Sequence, residues 1–199
     1  MHGAMQILLK LIRPLEIFND VAGRIGRNIA VVAMGLMVVV ILLQVFFRYV
    51  LNNALPWPDE AARFFMLWLV GLMGPIAMRR GSMVAITGLQ KLLPGAVCQG
   101  LLFLLLLLSL FVLVVAIKLG WAHVNSGWLF ASSSLKLPLH LIGMESVKLK
   151  LAWAYMSLFV GFCLMLVVNL ELLLRMLVTT LGGGDAMRPI ECERPAGID

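Results

Sequence analysis

The sequence predicts an all-α integral membrane protein: four transmembrane helices preceded by an N-terminal amphipathic interfacial helix, with both termini cytoplasmic. Three observations carry this. Of the 199 residues, 62% are hydrophobic and 13% are charged, against roughly 45–50% and about 25% in soluble domains. Mean hydropathy is +1.01. The charges also leave four long uncharged runs, at Asn28–Phe47, Phe64–Met78, Leu92–Ile117 and Leu151–Leu170. So few charged side chains cannot clothe a soluble globule of this size. That excludes an ordinary soluble enzyme, a disordered tail and a nucleic-acid-binding domain. The net charge of +6 fits loops held against anionic membrane lipid.

A spanning helix needs about 20 apolar residues to cross a ~30 Å hydrocarbon core. The first, third and fourth runs, with 20, 26 and 20 residues, are long enough. The second has 15, about 22 Å at 1.5 Å per residue. It reaches full length when the helix starts near Asp59 and its first turn sits among the headgroups, with Arg63 snorkelling. The spans expected are 28–50, 59–80, 94–120 and 149–175, within a membrane domain of 28–178.

Before them, in 1–27, polar residues recur at Gln6, Lys10, Arg13, Glu16, Asp20, Arg24 and Arg27, with Ile7, Leu8, Leu11, Leu15, Phe18 and Val21 opposite. Steps of three and four define one polar stripe on a helix. This piece reads as an amphipathic helix in the membrane interface, divided or restarted at Pro14; the alternative is a plain extension of the first span. With the N-terminus inside, ten Lys and Arg fall on the cytoplasmic side and six outside, the bias of the positive-inside rule. The segment 179–199, opening on Gly182-Gly183-Gly184, reads as a mobile cytoplasmic tail.

Little in the sequence can carry chemistry. His2, His123 and His140 fall outside the expected spans, without partners at metal-ligand spacing. Facing histidines for a haem are missing from the predicted bundle. Cys98, Cys163 and Cys192 form no CxxC pair. Ser132-Ser133-Ser134 reads as loop, lacking a base. No catalytic residue, metal or cofactor is expected. Glu171 and Arg175 suit an i,i+4 ion pair near the end of the fourth helix.

The richest stretch runs from Gln44 to Ile86. Asn52, Asn53 and Pro56 end the first helix, and Pro58, Asp59 and Glu60 start the second, where proline is tolerated and carboxylates meet the positive helix end. Asp59 and Arg63 are four apart and can pair. Arg48 and Glu60 are expected to pair across the turn, while Trp57 and Tyr49 suit an aromatic belt. Such a cluster staples two helices, anchors another membrane subunit, or does both. Further along, Gly71 and Gly74 allow close helix approach, and Pro75 can kink the axis.

Here the sequence resembles the small permease (DctQ-type) subunit of tripartite ATP-independent periplasmic (TRAP) transporters. The resemblance rests on Gln44-Val45, Arg48-Tyr49, Leu55, Trp57, Glu60 and Arg63. It continues through Phe65, Trp68-Leu69, Gly71, Gly74, Ala77, Arg79 and Gly81, then Ser134-Leu135-Lys136-Leu137-Pro138 and Trp153-Ala154-Tyr155. The sequence departs at Met83, where the family often has His, and in a longer stretch from Leu139 to Leu151. The resemblance implies a bacterial inner-membrane complex. In it a periplasmic solute-binding protein delivers an organic acid to a large TRAP permease subunit, which moves it with a cation gradient. The small subunit would be a non-catalytic scaffold. Arg48, Trp57, Asp59, Glu60, Arg63, Phe65, Trp68, Gly71 and Gly74 are its expected interface or structural residues. The rival readings are an autonomous small proton-coupled efflux transporter and the membrane anchor of a redox enzyme.

Overall fold

The computed structural model describes the backbone of residues 2–53, 55–90, 95–137 and 147–180, and side chains within 10–53, 55–81, 97–132 and 149–180. Four helices follow one another: α1 (His2–Tyr49), α2 (Trp57–Gln90), α3 (Gly95–Gly127) and α4 (Ala152–Thr180). Each is long and apolar enough to cross a membrane. Between α3 and α4 lies a two-stranded antiparallel hairpin, β1 (Ala131–Leu137) and β2 (Val147–Lys150). The expected tail after 178 falls outside the described residues beyond Thr180, as do His140 and Pro138.

α1 is a single unbroken helix of 48 residues, about 72 Å long at 1.5 Å per residue. The expected interfacial piece and first span are therefore continuous, and Pro14 lies inside the helix rather than dividing it. Among the described residues, one seam of this rod is covered. Ile12, Glu16, Asn19, Gly26, Ala30 and Ala33 are buried, and Met37, Val40, Gln44 and Phe47 are half-buried. Steps of three and four are the period of two helices in sustained contact. Small residues in this seam let α2 come close: a Cβ on Gly26 would lie 3.6 Å from the Leu72 carbonyl oxygen.

α1 ends where Asn52 adopts the left-handed conformation (φ 50°), which short polar side chains tolerate best after glycine. The Asn53 N–H then donates to the Phe47 carbonyl (3.0 Å), satisfying an otherwise open helix-end acceptor. α2 opens with Pro58 buried at its first turn and Asp59 and Glu60 beside it. It runs unbroken through Pro75 to Gln90.

α3 is apolar all round, as a span facing lipid or a partner can be. Among its described residues the buried positions are Cys98, Leu113, Val124 and Gly127. His123, expected in a loop, stands in its last turns, its ring 6.1 Å from that of Tyr155 on α4. The helix simply outlasts the uncharged run by nearly three turns, bringing Trp121 against Phe159 (5.5 Å) and Trp128 against Trp153 (6.4 Å). These rings form a belt with the Lys150 ammonium 5.1 Å from the centre of Trp128.

The hairpin qualifies the all-α reading. Ser134-Leu135-Lys136-Leu137 and Val147-Lys148-Leu149-Lys150 alternate polar with apolar, the period of a strand. Ala131 pairs with Lys150 and Leu137 with Val147, with a register shift between Ala131 and Lys136. The three serines expected in a loop thus belong to β1.

α4 is the hub, packed against α3, α2 and α1. Its tightest crossing is with α2. A Cβ on Gly161 would stand 2.6 Å from the Gly71 carbonyl oxygen and 2.9 Å from the Gly71 Cα, closer than real Cβ contacts allow. The two backbones touch there without side chains between them, as small residues permit in membrane bundles.

Candidate functional site

On α1 the polar residues Glu16 and Asn19 turn inward, while Lys10, Arg13, Asp20 and Arg24 of the polar stripe are exposed. Glu16 and Asn19 are buried, and both reach α4 at the level where its apolar run stops. Glu171, fully buried, is the centre. Its Oε2 accepts a hydrogen bond from Asn19 Nδ2 (2.6 Å). Its Oε1 accepts from Arg79 Nη2 and from Arg175 Nε, each at 2.9 Å. Arg175 Nη2 donates onward to Glu16 Oε1 (2.7 Å), and Arg79 Nη1 donates to the more exposed Asp20. Three helices are thus joined through charge-assisted bonds, which are about twice as strong as neutral ones.

The Glu171–Arg175 pair matches the expected i,i+4 ion pair. Its setting does not: the pair is not an isolated surface contact but the buried core of a six-residue network. Glu16, Asn19 and Asp20 escape sequence reading as partners because nothing local says which helix their stripe will meet. One signal was available, in the two buried seam positions of α1 that are polar (Glu16, Asn19) amid apolar and small ones.

The network is densely paired, although the buried Arg79 Nε has no hydrogen-bond partner among the described residues. A carboxylate offers about four lone-pair sites, and three donors already occupy those of Glu171. Buried charges of this kind are tolerated only when paired and hydrogen-bonded. Among the described residues, no group of three or more His, Cys, Asp and Glu could hold a metal ion.

The α1–α2 junction lies at the opposite end. Glu60, half-buried, accepts a hydrogen bond from the Ser132 hydroxyl, so the first turn of α2 is tied to β1. The expected Arg48–Glu60 ion pair is not made: among the described residues no salt bridge joins them, and the Arg48 guanidinium sits 5.8 Å over its neighbour Tyr49. Leaving α1 at its last turn, Arg48 gains more from an adjacent ring face and open solvent than from crossing the turn. Asp59 and Arg63 do pair, at 3.8 Å, with both side chains largely exposed. Such pairs contribute little. Asp59→Ala is expected to lower stability by about 1 kcal/mol or less, helix-dipole loss included, as read from the unfolding midpoint of the purified protein.

Trp57 stands exposed at the start of α2. Phe65 and Trp68 line an apolar groove between α1 and α2, of about 320 Å³, with Ile29, Val32 and Leu36. Gly71 is buried in the chain's own α2–α4 crossing. Gly74 faces the flexible end of Met165. The residues expected to act together are therefore split between a surface junction, a groove and an internal crossing.

The four apolar spans, the buried charge network and the aromatic belt define a class: a multi-pass helical membrane protein whose buried ionised groups serve its own packing. A family model of the DctQ component of tripartite ATP-independent periplasmic transporters matches residues 37–179, well over half of the chain. The chain belongs to this family, as a small permease subunit of a TRAP transporter, a multi-pass protein of the bacterial inner membrane. It is also similar to the sialic acid TRAP transporter small permease protein SiaQ of Vibrio cholerae serotype O1. The two are 28% identical over 171 residues, 84% of this chain and 90% of that protein. The family match begins within α1, so Glu16, Asn19 and Asp20 precede it.

Proposed function

We propose that this chain is a non-catalytic scaffold. It holds a large permease subunit in place during cation-coupled uptake of an organic acid delivered by a periplasmic binding protein. One observation supports this above others. The buried carboxylate of Glu171 is engaged by three donors from its own chain, so its charge serves to join helices α1, α2 and α4. The remaining outer surface is built for contact rather than chemistry. α1 presents Val31, Val38, Val39, Leu42 and Phe46 outward, a continuous apolar face that lipid or a companion helix must cover. In this reading α1 and α2 carry the partner contact along the groove of Phe65 and Trp68, and both termini are cytoplasmic. Arg48, Trp57, Asp59, Glu60 and Arg63 shape the outer rim of that contact.

Glu60→Lys tests the rim. It replaces the acceptor of Ser132 with a cation at the joint between α2 and β1, and like charge then faces Arg63 one turn away. Co-purification with the large permease should fall several-fold and uptake by the assembled transporter should be lost. Wild-type complex yield together with wild-type uptake would remove this junction from the contact. Solute flux driven by the chain alone in liposomes would overturn the scaffold reading itself.

A further inference from the structure

Beside the buried charge network lies a cleft that the scaffold role leaves unused. It opens between α1, α2 and α4, with a volume of about 180 Å³, an order of magnitude beyond the ~10–15 Å³ that admits one water. Its rim holds Arg24 and Arg27 from α1 and Arg79 and Arg80 from α2, against two carboxylates, Asp20 in the lining and Glu171 bonded to Arg79 behind it. Deeper in, the lining is apolar: Leu72, Leu164 and Val168. The depth of this cleft follows from the sequence. Arg27 immediately precedes the apolar run of α1, Arg79 immediately follows that of α2, and Glu171 follows that of α4. The four arginines therefore ring one boundary of the hydrocarbon, at the level of lipid phosphates.

We infer that this cleft is a binding site for the phosphate of an anionic phospholipid. The rim supplies a net excess of guanidinium groups, the side chain best matched to phosphate oxygens. The apolar lining receives the glycerol end of the acyl chains, which a free phosphate could not use. Arg79 is held in place by its bonds to Asp20 and Glu171, so part of the rim is pre-organised by the network. A bound anionic lipid then clamps α1 to α2 where both leave the bilayer. Basic pockets between transmembrane helices take such headgroups elsewhere.

The test uses the full-length purified protein in detergent, with its thermal midpoint followed as dioleoyl-phosphatidylglycerol is titrated. Phosphatidylglycerol should stabilise the wild type, while phosphatidylcholine and inorganic phosphate leave the midpoint unchanged. The double variant Arg24→Gln/Arg27→Gln should lose about tenfold or more in apparent affinity, as expected for two arginines near a charged surface. Lys10→Gln/Arg13→Gln removes the same charge from α1 outside the cleft and should change affinity less than about threefold. Should the double cleft variant fold poorly, Arg80→Gln provides a second reading, with a loss of about fivefold. Equal weakening by cleft and control variants would show diffuse attraction and overturn the site. Stabilisation by inorganic phosphate at the phosphatidylglycerol level, or by both lipids alike, would overturn the assignment of an anionic lipid.

Discussion

Glu171→Ala is expected to lower the thermal midpoint of the purified protein by on the order of 10 °C. The change removes the shared acceptor of Arg79 and Arg175 and leaves Asp20 and Glu16 as the carboxylates bonded to these two largely buried guanidinium groups. Removing one partner of a buried ion pair costs about 3–5 kcal/mol, and 1 kcal/mol shifts the midpoint of a chain this long by about 2–4 °C. Glu171→Gln keeps a carbonyl oxygen that can still accept from one donor but loses the charge, so its midpoint should fall between those of wild type and Glu171→Ala. The loss should couple to α1. In a double-mutant cycle, Asn19→Ala ought to cost clearly less in the Glu171→Ala background than in the wild type, since its hydrogen-bond acceptor has already gone. A midpoint within 2 °C of wild type for Glu171→Ala would mean that water solvates these charges and that the helices are joined by apolar contact alone.

The second large effect belongs to the α2–α4 crossing. Gly71 has Ser157 backbone carbon 3.0 Å from where its Cβ would stand, and Gly161 has Gly71 Cα at 2.9 Å. Neither neighbour can move away by a rotamer change, since both are backbone. Gly71→Ala should therefore cost about 1–3 kcal/mol, the range for forcing atoms into a full interior. Gly71→Leu should part the helices, seen as loss of the folded species on size exclusion in mild detergent. Gly100→Ala is the contrast. Nothing lies within 4 Å of a Cβ there, so alanine should be neutral or stabilise by up to about 1 kcal/mol through helix propensity. If Gly71→Ala behaves like Gly100→Ala, the two backbones are not in contact.

The hydrophobic runs were enough to place all four helices, because a bilayer allows only a few solutions to a 20-residue apolar segment: the backbone must satisfy its own hydrogen bonds, and a helix does so locally. The turn between α1 and α2 was legible for the same local reason, through Asn52, Pro56 and Pro58. Ends set by contact rather than by polarity were not. α3 carries His123 and Gly127 beyond its uncharged run because Gly127 packs on Ala152 (2.8 Å to its Cα from a Cβ position). The hairpin was foreshadowed by two alternating tetrapeptides, but strand pairing is non-local and short alternations are common by chance.

What the sequence by itself determined, then, is a membrane-embedded four-helix chain with one polar stripe on α1, a charged turn between α1 and α2, and an Arg175 able to reach Glu171. Each of these depends on residues within a turn or two of one another. Only the tertiary structure decided that Glu16 and Asn19 face inward, that Glu171 gathers Asn19 and Arg79 from 152 and 92 residues away, and that Arg48 lies over the ring of Tyr49. A charge in a helix has many possible partners of opposite sign. Which one it meets depends on how helices cross, and in this chain two glycines fix one of those crossings at backbone contact.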